Sequence, residues 1–132
     1  MARFFGVFGA FLGLIWTILG ALGAHLFTLL PIGQQRFDLA LRMLIVHAVV
    51  LIILATQQST QHLPIRMLAG VAFVIGTLVF CSSLLALALG APPYFAKFAP
   101  FGGVLLMLGW SLWGLSLLRR SRLSYSNSKS NS

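Results

Sequence analysis

Glutamate is absent from this 132-residue chain and aspartate occurs once, at Asp38. Proton-coupled transport needs a titratable group inside the bilayer, usually a carboxylate, because a buried charge is retained only where it has a functional partner. A lone Asp near the start of an apolar segment speaks against that chemistry, and against small multidrug exporters, which match the size but rely on a buried Glu in their first helix. Cysteine is equally scarce. Cys81 stands alone in an apolar run, which excludes an internal disulfide and leaves no metal-ligand spacing, so it is expected to be a small packing residue. Charged residues make up only 8% of the chain, against about 25% in soluble domains, too few to cover a water-facing surface. A lipid bilayer must cover it instead. The net charge of +8 does not indicate nucleic acid, since the basic residues lie between and after apolar runs rather than across one polar face. Charge so placed sets membrane topology and attracts anionic lipid heads.

What the chain has in abundance is long apolar runs, with 59% hydrophobic residues. Crossing the hydrocarbon core takes roughly 20 mostly apolar residues. Four stretches qualify, at about 4–22, 37–56, 67–89 and 98–118, and predict an all-α, four-transmembrane-helix bundle over residues 1–120. The second is the least regular, because Asp38 and Arg42 fall in its first turns; their i, i+4 spacing predicts an ion pair at the headgroup boundary. The first run is too long for a signal-peptide core and is expected to be retained, despite the small residues Ala21 to Ala24. Pro31 with Gly33, Pro64, and Gly90 with Pro92 and Pro93 mark the three connections. The Ser- and Asn-rich stretch 121–132 is expected to be a disordered cytoplasmic tail.

Four spans put both termini on one side. That side carries Arg3, Arg66, Arg119, Arg120, Arg122 and Lys129, whereas the other carries Arg36, Arg42 and Lys97, so both ends are expected in the cytoplasm. Between helices in lipid, close approach through small residues supplies contact energy. The first run is built for it: Gly6, Gly9, Ala10, Gly13, Thr17, Gly20, Ala21 and Ala24 recur at steps of three and four. Ala69, Ala72, Gly76, Ser83, Ala86 and Gly90 form a less complete stripe on the third, interrupted by Phe80. These stripes suit packing within the chain or against another subunit. Trp16, Trp110 and Trp113 are expected at the membrane interfaces.

Catalytic chemistry finds little support. Ser82 and Ser83 have no general base nearby, and no phosphate-binding loop or zinc motif occurs, so no enzyme activity, metal or cofactor is expected. The candidate polar positions are His25, Asp38, Arg42 and His47. His25 and His47 offer the one route to haem or metal binding, but a helix starting near Phe37 puts His47 about 15 Å deep, too far to share a ligand with an interfacial His25. His62 falls in a polar loop on the opposite side.

Several runs together carry a family pattern: Gly20-Ala21-Leu22-Gly23-Ala24-His25, Ala40-Leu41-Arg42 leading to His47-Ala48, Gly76-Thr77-Leu78-Val79-Phe80, Pro100-Phe101-Gly102-Gly103 and Gly109-Trp110. In this order the chain resembles the YgdD/YwdK-like small inner-membrane proteins (DUF423), a family of unknown function. The resemblance implies a four-helix bundle in a bacterial inner membrane and marks His25, His47, Gly102 and Gly103 as part of the pattern. It brings no activity. The chain departs from it in having Met43-Leu44 for a Tyr-Gln pair, Leu85 for a Tyr and Ala99 for a Thr, which removes polar groups from any substrate path. The expected role is therefore a non-enzymatic structural or accessory subunit, as a homo-oligomer or in a larger membrane complex, with passage of a small solute or ion through an oligomer as the alternative.

Overall fold

The computed structural model describes the backbone over residues 2–57 and 64–130, and side chains over 3–57 and 64–118. Its helices are α1 (Ala2–His25), α2 (Pro31–Thr56), α3 (Pro64–Ala88) and α4 (Phe98–Ser130), with a 3-10 turn over Pro93–Lys97 before α4. All four are long and apolar enough to cross a membrane, and no strand occurs among the described residues. At 1.5 Å per residue, α1, α2 and α3 reach roughly 36 to 39 Å, beyond the hydrocarbon thickness of about 30 Å.

Helix starts differ most from the sequence expectation. Pro31 and Pro64 are not loop punctuation but the first helical residues of α2 and α3. Proline suits that position because its missing N–H has no intrahelical partner there and its φ is already helical. Leu30, extended at ψ 155°, delivers the chain to Pro31, so α2 begins six residues before the expected Phe37. Gly33 then serves as a contact rather than a turn: a Cβ there would lie 3.0 Å from the Ala88 carbonyl oxygen. The end of α3 is built as expected. Gly90, at φ 90°, adopts the left-handed conformation, while Ala91 N donates to Ala86 O (2.9 Å) and Gly90 N to Leu87 O (3.3 Å), the paired bonds of a Schellman cap. At the other extreme α4 runs past Leu118 to Ser130. Extending an existing helix is cheap, and neither Gly nor Pro occurs after Gly114 to stop it. The side chains of Arg119, Arg120, Arg122 and Lys129, and all of His62, lie outside the described residues.

Successive helices pack antiparallel. Gly6 and Gly9 of α1 lie against Ala55, Ala48 and Ile52 of α2, and Gly23 lies against Phe37, so one helix ascends as the other descends. Cys81 Sγ meets Ala40 O at 3.5 Å, which sets α3 against α2, and Gly76, Gly102 and Gly109 bring α3 and α4 together at Leu106, Phe80 and Phe73. The main seams are α1–α2, α2–α3 and α3–α4; none of comparable extent joins α1 to α4. α1 also reaches α3, where the Phe5 ring lies against Gly70. The start of α1 and the end of α4 fall at one end of the bundle, and the α1–α2 and α3–α4 connections at the other. Leu12, Ala40, Leu51, Ala69 and Phe73 form its most deeply buried core.

Candidate functional site

At the junction of α2, α3 and α4 the apolar core gives way to one imidazole. His47 is 2% exposed. Its Nδ1 lies 2.8 Å from the carbonyl oxygen of Met43, one turn earlier. A carbonyl only accepts, so Nδ1 carries a proton, and in the neutral ring Nε2 then presents a lone pair. The ring stands against Phe73 (centroids 5.7 Å) and Trp110 (6.3 Å), and Phe73 in turn meets Trp110 edge-on at 5.5 Å and Trp113 at 6.3 Å. Phe73 fits here because Gly109 opposite has no side chain; a Cβ there would sit 2.8 Å from the ring. This aromatic wedge separates His47 from the end of the bundle that carries the termini. Nε2 exposes under 1 Å² and has no partner among the described residues, and the same holds for Thr77 Oγ1 one turn beyond Phe73.

Toward the termini the wedge is tied off by a polar clasp. Arg66, in the first turn of α3, donates through Nη2 to the carbonyls of Leu54 (3.2 Å) and Gln57 (2.9 Å) and to Gln57 Oε1 (3.2 Å). The α2 C-terminus leaves its last carbonyls without intrahelical donors, and a guanidinium both satisfies them and opposes the negative end of the helix dipole. Trp113 Nε1 also donates to Gln57 Oε1, at 3.3 Å, so α2, α3 and α4 meet in this one side chain. Trp113 is therefore more than an interfacial indole: its ring packs on Phe73 and its donor is bound within the bundle. In the sequence Arg66 reads only as topological charge. Its position just after the end of α2 is the available signal; Phe73, Thr77 and Gln57 give none.

The other predicted positions lie apart. His25 is the last residue of α1 and is exposed. Since Gly23 faces Phe37, His25 sits at the level of the first turns of α2, roughly 18 Å along the axis from His47. The two histidines share no site. Asp38 does not pair with Arg42: no ion pair joins them among the described residues, and Asp38 Oδ1 accepts instead from Gln34 Nε2 at 2.9 Å. The early start of α2 explains the change, because it places Gln34 one helical turn before Asp38. Arg42 is exposed. No group of three or more His, Cys, Asp or Glu converges among the described residues. Of the predicted packing glycines, Gly6, Gly9, Gly76 and Gly102 lie within seams of the bundle and Gly103 is at ordinary contact distance from the Phe80 ring (3.8 Å). Gly13 and Gly20 face open space.

Four antiparallel membrane-length helices, an imidazole enclosed by aromatic rings and a capped helix end define a small polytopic membrane protein. The profile of the family described as "Protein of unknown function (DUF423)" matches residues 19–103, and the chain belongs to that family. It is similar to the UPF0382 inner membrane protein YgdD of Escherichia coli K12, 29% identical over 128 residues, covering 96% of this chain and 98% of the relative. YgdD proteins of Escherichia coli O157:H7 and Shigella flexneri match with the same identity and coverage. No solved structure matches. With family and spans together, the chain is a multi-pass inner membrane protein.

Proposed function

We propose that this protein is non-enzymatic and acts through helix packing, as a structural element or accessory subunit that binds a second copy or another membrane protein along α1. The outward surface of α1 carries the reading, because it is divided by side-chain size. Phe4, Val7, Phe11, Leu14 and Ile18 project on one half and suit lipid. Ala10, Gly13, Thr17, Gly20, Ala21 and Ala24 share the neighbouring side, about 100° wide at 3.6 residues per turn. Beyond Gly13 and Gly20 lies nothing within 4 Å, and Thr17 turns its hydroxyl inward onto Gly13 O at 3.0 Å. A surface serving only lipid gains nothing from small residues, whereas a partner helix gains close backbone contact.

The excess of basic residues near the termini supports a cytoplasmic location for both ends. Reporter fusions at the C-terminus, one active only inside the cell and one only outside, test that orientation. The accessory role is tested by native purification in mild detergent. A stoichiometric second copy or membrane protein is expected, and a strictly monomeric particle with no associated protein contradicts it.

A further inference from the structure

We propose that His47 and Thr77 form an internal site for one water molecule, which donates to His47 Nε2 and accepts from the Thr77 hydroxyl across the α2–α3 seam. Three observations converge on it. First, the helix register brings the two side chains to one level. Cys81 Sγ lies on Ala40 O, so in an antiparallel pair the residue one turn inward, Thr77, comes beside Leu44. The His47 side chain leans back toward the start of its helix, as helical side chains do, and its Nδ1 reaches Met43 O, which puts the ring at that same level. Phe73, one turn from Thr77 on the same face of α3, touches the His47 ring directly.

Second, the Thr77 hydroxyl is held differently from its counterparts. Thr17, Ser83 and Ser111 each donate to the carbonyl four residues earlier, at 3.0, 2.6 and 2.9 Å, the usual way a helix in apolar surroundings satisfies a hydroxyl. Thr77, at 0% exposure, makes no such bond, although the Phe73 carbonyl is its natural acceptor. Third, the two partnerless atoms are chemically complementary to a molecule that both donates and accepts. In the neutral ring with Nδ1 protonated, Nε2 accepts, and the hydroxyl donates or accepts. Buried water takes such places, bridging polar groups that would otherwise be left unsatisfied.

The test is solid-state NMR of the full chain in lipid bilayers, with 15N-labelled histidine and His25→Gln and His62→Gln so that His47 alone reports. Expected are a protonated Nδ1, an unprotonated Nε2, and magnetisation transfer from water to Nε2. Thr77→Val should abolish that transfer with Nδ1 still protonated, and Thr77→Ser should keep it. A proton on Nε2, no water transfer in the Thr77-containing chain, or transfer that survives Thr77→Val overturns the proposal. So does a direct hydroxyl–imidazole bond without water. Because the Thr77-containing chain is itself decisive, the proposal stays falsifiable if Thr77→Val fails to fold.

Discussion

Gly102→Ala is the sharpest perturbation of the fold, because the close approach of α4 to α3 is made there by backbone. An added methyl would lie 2.5 Å from Phe80 N and 2.8 Å from Phe80 Cα. Optimal contact between such atoms is about 3.5 to 4.0 Å, so the helices must separate locally by roughly 1 Å. Neither atom belongs to a flexible side chain that can swing aside. Overpacking of this kind costs about 1 to 3 kcal/mol, only partly offset by the gain of up to about 1 kcal/mol in helix propensity from Gly to Ala. Gly114→Ala in the same helix is the control, since nothing lies within 4 Å of its added methyl and only the propensity gain remains. The chain carries its own probe for the measurement. Cys81 is its one cysteine and is 3% exposed, so a fluorogenic thiol reagent reports thermal unfolding in detergent. The Gly102→Ala midpoint should fall clearly below the parent, with that of Gly114→Ala equal or higher. Equal midpoints for parent and Gly102→Ala, or a matching loss in Gly114→Ala, would refute the backbone-contact argument.

Two further substitutions probe the polar positions. Arg66→Gln removes the cation from the α2 terminal carbonyls and from Gln57, and charge-assisted bonds of this kind are worth about 1.5 to 3 kcal/mol, so the same thiol assay should show a marked loss; an unchanged midpoint would mean the clasp is incidental. Asp38→Asn should change stability by no more than about 0.5 kcal/mol, because Asp38 is not ion-paired with Arg42 and an amide oxygen still accepts from Gln34. A large loss there would restore the Asp38–Arg42 pair as a structural element.

Much of the bundle is legible in composition, because few folds other than membrane-helix bundles can be 59% hydrophobic and 8% charged in long uninterrupted runs. The helix starts are not legible in the same way. Pro31 and Pro64 look identical in a string whether they close a loop or open a helix, and the difference depends on the tertiary contacts of the residues after them, as Gly33 against Ala88 shows. The candidate site is harder still. His47 stands out by type, but its enclosure depends on Phe73 and Trp110 arriving from two other helices, and the role of Arg66 depends on where α2 ends. The stripe on α1 shows the opposite limit. Its 3–4 spacing is plain in the sequence, yet only the packed bundle separates Gly6 and Gly9, which meet α2, from Gly13 and Gly20, which do not.

The outward half of that stripe is the centre of the functional account, and native mass spectrometry from mild detergent tests it most directly, comparing the parent chain with Gly13→Leu and Gly20→Leu. Both positions open onto space, so the variants should fold and melt like the parent. The account predicts that the parent carries a stoichiometric second copy or partner protein and that the variants lose it; a monomeric parent, or association unaffected by either leucine, would contradict it.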